Sequence, residues 1–111
     1  MLDRSSFLDP LREANAARQA EWDPDDRITL SYRGNELAGE TGEACNKIKK
    51  LERERLGLRG TRATLGELAE ELADVVITAH AVALLRGIDL TRAIGAKHAV
   101  LMTRDLGGLR S

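Results

Sequence analysis

Apolar residues along this chain recur at spacings of three and four, and no stretch alternates apolar with polar as a half-buried strand would. The pattern predicts four helices. The first is expected over roughly residues 6–21, with Ser5 or Ser6 as N-cap and Pro10 in the first turn, where proline's missing N–H is tolerated. Trp22-Asp-Pro-Asp-Asp then forms a turn-rich linker. The second helix should run from about Thr29 to Leu56 and break at Gly57 and Gly60. The third begins after Thr64, whose hydroxyl can cap it, with Glu67 completing a capping box, and it continues to Arg86 before Gly87. The fourth is expected from near Asp89 to about Arg104, with Gly107 and Gly108 leading into a frayed tail. Between the second and third helices, Gly57 to Gly66 carries Arg59 and Arg62 and reads as a mobile, basic connection. The fold class is all-α, a four-helix, bundle-like protomer.

Composition narrows this picture. The 111 residues suffice for one domain spanning 1–111, with its core at about residues 22–104. A chain this short buries only about two-thirds of its unfolded surface, a shortage that self-association would relieve. The net charge is −1, which gives no electrostatic case for nucleic acid or a membrane surface as partner. Cys45 is the one cysteine, so a cytoplasmic, reducing setting is expected, with Cys45 a small core residue. The N-terminal residues lack the apolar run of a signal peptide. The longest apolar stretch, Val75 to Leu85, is interrupted by Thr78 and His80 and is too short to span a bilayer.

The second helix carries the first candidate chemistry. Glu36, Glu40, Glu43 and Lys47 share one face, beside a packing seam of Leu37, Thr41, Ala44, Ile48 and Leu51. Gly39 and Gly42 interrupt it at about 1 kcal/mol each relative to alanine, which suits a close approach by a partner helix or a ligand. On the third helix Glu67, Glu71, Asp74 and Thr78 again share a face. From Leu72 to Leu85 the helix is apolar nearly all round, as in a buried helix, and Asp74 lies at the start of that stretch. Glu40-x-x-Glu43 and Glu71-x-x-Asp74 could thus converge from two helices, and converging carboxylates need a cation between them to stay ionised. Oxygen-only ligands suit a hard cation such as magnesium, with manganese as a substitute. Taken singly, each acidic pair also fits an ordinary solvated helix face. A di-iron bundle would require Glu-x-x-His, but Ile77 and Gly95 stand three residues before His80 and His98. His80 therefore reads as a core or interface histidine.

At these residues the chain resembles the MazG-like all-α nucleoside triphosphate pyrophosphohydrolases. The resemblance rests on Glu-Leu-Ala-Gly-Glu-Thr-Gly-Glu-Ala at 36–44, Glu-Glu-Leu-Ala-Asp-Val-Val-Ile at 70–77, Gly-Ile-Asp-Leu at 87–90, and Lys97. It covers about Trp22 to Arg104. The family's ExxE and ExxD signatures fall on Glu40, Glu43, Glu71 and Asp74; the acid often found just before the first is Gly39 here. The resemblance implies hydrolysis of a (deoxy)nucleoside triphosphate to monophosphate and pyrophosphate, and a house-cleaning role. It also implies bound Mg²⁺ and a homodimer or homotetramer with sites near subunit interfaces.

On that basis Glu40, Glu43, Glu71 and Asp74 are the expected metal ligands, with Glu40 the candidate general base. Lys47, Lys97 and Arg104 are candidates for the phosphates, as is Lys50; Lys97, Leu101 and Arg104 share a face of the fourth helix. Trp22 and Asn46 are candidates for the base, Trp22 equally fitting an anchor for the first helix. The competing function class is a non-catalytic helical interaction or regulatory module, in which Asp74→Asn would be harmless or stabilising.

Overall fold

A computed structural model describes residues 9–110, with side chains through Arg104, and the predicted caps at Ser5 and Ser6 lie outside that range. It holds helix α1 (Asp9–Trp22), α2 (Leu30–Arg55), α3 (Leu65–Leu85) and α4 (Leu90–Arg110), with no strand among the described residues. Pro10 occupies the first turn of α1, as expected. None of these helices is long and apolar enough to cross a membrane.

Local chemistry explains the boundaries. After α1, the Asp23 carboxylate accepts from the backbone N–H groups of Arg27 (3.0 Å) and Ile28 (2.8 Å), which holds its pKa below the ordinary value. The hydroxyl of Thr29 accepts from the Tyr32 N–H at 3.1 Å and starts α2. That helix stops where Gly57 turns left-handed (φ 70°), letting the Leu58 N–H reach back to the Arg53 carbonyl at 2.9 Å. The connection expected to be mobile is pinned to α2. Arg53 donates to the Thr61 carbonyl at 3.0 Å and crosses Gly60 so closely that a Cβ there would lie 2.5 Å from its Nη1. Both arms of the capping box at α3 form: Glu67 N–H to Thr64 Oγ1 at 3.1 Å, and Thr64 N–H to the Glu67 carboxylate at 2.9 Å. At the start of α4, Asp89 accepts from the Arg92 N–H at 3.1 Å. This helix runs on to Arg110, through the two glycines expected to end it.

The packing centres on α2 and α3, which lie antiparallel along their length. Their fully buried apolar side chains are small: Ala44, Ala81 and Ala83, joined by Ala63 from the loop. Small residues let the helix axes approach closely but leave little apolar volume to bury. Helix α1 crosses α3, where Asn15, itself buried, donates from Nδ2 to the Ile77 carbonyl (3.2 Å) and accepts from Arg18. His80 is the largest side chain completely buried. Helix α4 makes only sparse contact with the rest.

The isolated protomer is open. Its radius of gyration is 17.5 Å, where a compact chain of this length would have about 13 Å. Leu72 and Val76, expected inside a helix buried all round, are 48% and 45% exposed. Cys45, expected in the core, is free and exposed.

Candidate functional site

The carboxylates that the spacing put on neighbouring faces do converge. Because α2 and α3 are antiparallel, Glu40 on the first meets Glu71 and Asp74 on the second. One carboxylate oxygen from each lies within 4.8 Å of the other two. Glu43, one turn along α2, stands outside this trio and is exposed, though its charge still reaches Glu40. Glu40 feels the crowding most. Withdrawal from water raises its pKa first, and then the negative charges of Asp74, Glu71, Glu43 and Glu36 raise it further. Asp74, expected in an apolar setting, is exposed in the protomer. The first turn of the apolar stretch faces outward there, so its burial is not supplied by this chain.

Three oxygens from carboxylates fit a hard divalent cation by chemistry and by spacing. Such a cation would offset both the withdrawal from water and the neighbouring negative charges that raise the pKa of Glu40. No His or Cys takes part: Cys45 lies outside the trio and His80 is buried among α3's neighbours. This is an all-oxygen site, unlike the nitrogen- and sulfur-rich sites of zinc.

One turn from the acids a cavity of about 690 Å³ opens between α1, α2 and α3. Glu36 and Arg33 line it from α2, Thr78 and Ile77 from α3, and Gln19 and Trp22 from α1. Glu36 precedes Glu40 by four residues, and Thr78 follows Asp74 by four. Both helices therefore step from acidic cluster to cavity in one turn, about 6 Å. Trp22, expected in the linker, is instead the last residue of α1 and is 58% exposed. Its ring lies 6.0 Å from that of Tyr32, and the Arg33 guanidinium sits 5.4 Å from its centroid. Arg33 is almost wholly buried. It donates from Nη1 to Glu36 Oε1 (2.5 Å) and from Nη2 to Gln19 Oε1 (3.3 Å), while its Nε has no partner among the described residues.

The remaining candidates are spread out. Lys47 is held by Glu67, Nζ to Oε2 at 3.4 Å. Asn46 is exposed on α2 and does not line the cavity with Trp22. Ten residues separate it from Glu36, about 15 Å along a helix. Lys97 and Arg104 are exposed on α4, without ion-pair partners among the described residues. Sequence reasoning missed Arg33 and Gln19. Glu36 and Thr78 share the acidic faces, and their four-residue offsets from Glu40 and Asp74 are the signal that leads from the acids to the cavity. Nothing in the sequence joined Gln19 to Arg33, because that contact spans two helices.

The family profile described as the MazG nucleotide pyrophosphohydrolase domain matches residues 29–105. The match takes in the acidic trio and all of α2 and α3, while the whole of α1 precedes it. No curated protein and no solved structure gave a match.

Proposed function

The chain belongs to the MazG nucleotide pyrophosphohydrolase family, and from that premise we propose that it hydrolyses (deoxy)nucleoside triphosphates to the monophosphate and pyrophosphate. The observation that carries the reading is the convergence of Glu40, Glu71 and Asp74 beside a cavity of about 690 Å³ lined by Trp22. A triphosphate needs cations, and its base needs an aromatic wall. Both provisions lie one helical turn apart.

Glu40, Glu71 and Asp74 would hold Mg²⁺, with Mn²⁺ able to substitute and Glu43 supplying a further carboxylate from the next turn. Bound there, the cation supplies charge for the phosphate oxygens and lowers the pKa of water. Glu40 is the base: its carboxylate takes a proton from the attacking water as the oxygen bonds to the α-phosphorus. The bond from that phosphorus to the bridging oxygen breaks, and pyrophosphate leaves. Lys47, Lys97 and Arg104 complement the phosphates, the two on α4 when a second copy brings that helix to the site. Trp22 stacks on the base, and Asn46 contacts the nucleotide across such an interface.

The open protomer supports a homodimer or homotetramer. Leu72 and Val76 on α3, and Val100, Leu101 and Met102 on α4, expose apolar surface that a second copy would cover. Gly39 and Gly42 have open space where a Cβ would stand, so their faces are free for a close approach. A cytoplasmic house-cleaning role, removing unwanted nucleotides, completes the reading. The free thiol of Cys45 suits a reducing compartment.

The test is pyrophosphate release from a panel of canonical and damaged deoxynucleoside triphosphates, with Mg²⁺ or with EDTA. Release that requires metal and fails in Glu40→Gln is the expected result. A folded, metal-replete protein that releases none from any triphosphate would overturn the assignment and favour the interaction module.

A further inference from the structure

The cavity holds a donor and an acceptor side by side, and this pair carries an inference that rests on the proposed reaction and sharpens its substrate class. Arg33 and Glu36 are one turn apart on α2, joined at 2.5 Å, and both line the cavity beside Trp22. The buried Nε–H of Arg33 has no acceptor among the described residues. Arg33 itself lines the cavity, and its guanidinium keeps hydrogens on Nη1 and Nη2 beyond those given to Glu36 and Gln19, so it has donors left for a ligand. Glu36 uses one oxygen on Arg33 and has a second oxygen available to accept an N–H. Gln19 braces the far side of the guanidinium, fixing the plane in which it donates.

We propose that Arg33 and Glu36 read the edge of the nucleobase, and that they select bases carrying a lactam, a ring carbonyl next to a ring N–H. The guanidinium donates to the carbonyl oxygen and the carboxylate accepts the neighbouring N–H. Guanine, uracil, thymine and hypoxanthine present that edge. Adenine has no carbonyl, and cytosine has no ring N–H beside its carbonyl. Either would leave a buried charged group of the pair facing a mismatched atom. A bidentate base contact of this kind is worth a discrimination of about five- to 150-fold.

Two measurements test this. The first is kcat/KM for dGTP and dTTP against dATP and dCTP, in the native enzyme, Glu36→Gln and Arg33→Lys. The second is quenching of Trp22 fluorescence by dGMP, dTMP, dAMP and dCMP in EDTA, which requires no catalysis. The lactam nucleotides are expected to be favoured about tenfold or more in both, with the preference shrinking toward unity in Glu36→Gln. If Arg33→Lys fails to fold, Glu36→Gln alone carries the comparison, because Glu36 is only partly buried. Equal use of all four bases by the native enzyme would overturn the proposal, as would a preference that survives unchanged in the folded variants. An enzyme that turns over no triphosphate yet binds dGMP and dTMP selectively would refute the reaction and leave base selection standing. Turnover without selectivity would do the reverse.

Discussion

Asp74→Asn offers the most direct test of the acidic cluster, because its consequences in the presence and absence of metal have opposite signs. Oxygens of Glu40, Glu71 and Asp74 lie within 4.8 Å of one another. At that separation two unit charges repel by about 3.5 kcal/mol at an effective dielectric of 20, and by about 0.9 kcal/mol in bulk water. Asp74 is exposed, so the lower figure is nearer the truth for its pairs. Asparagine removes two of the three repulsive pairs while keeping the shape, a gain of about 2 kcal/mol for the metal-free protein. For a domain of this size that corresponds to a rise in Tm of roughly 5–10 °C. Magnesium should act the other way. At a tenfold excess over its Kd, it would stabilise the native protein by about 1.4 kcal/mol, and the variant by much less. Scanning calorimetry of both proteins, in EDTA and in millimolar MgCl₂, reads all four states. The expected pattern is a variant that melts higher in EDTA and gains little from magnesium. A variant no more stable than the native protein in EDTA, with an undiminished magnesium shift, would refute the view that these three acids form one metal site.

Two further predictions concern the junction of α1 with α3. Asn15 is buried and its amide spans from the Ile77 carbonyl to Arg18. Asn15→Ala should cost about 1–2 kcal/mol by urea denaturation, and loss of less than a few tenths would mean that α1 is not anchored there. Burial, and after it the positive charge of Arg12, lowers the pKa of His80 from its ordinary 6.5. The folded protein therefore binds fewer protons than the unfolded one, so this contribution is intact above about pH 6.5 and is lost as the pH falls below it. Tm should drop more steeply between pH 7 and pH 5 in the native protein than in His80→Gln. Parallel curves would show that His80 protonates without cost.

The helices were legible because their signals are local. Thr29, Thr64 with Glu67, Gly57 and Gly87 act within one turn of themselves, and each ended or began a helix where expected. Helix α4 outran its prediction because a pair of glycines only weakens a helix, at about 1 kcal/mol each. The carboxylate faces were legible from their spacing, since residues four apart on a helix must share a side. Which of the acids meet was decided by how α2 slides along α3: that register brings Glu40 to Glu71 and Asp74 and leaves Glu43 outside. The exposure of Cys45 and Asp74 was misjudged for a related reason. Periodicity tells which residues share a face, but the neighbouring helix determines which face is covered. The cavity belongs wholly to the tertiary structure. Its walls come from three helices, and Arg33, Gln19 and Trp22 become a group only when α1 lies across α3. Helix ends are thus written in the sequence because their hydrogen bonds close over three or four residues, whereas the site depends on contacts between residues tens of positions apart, which only packing brings together.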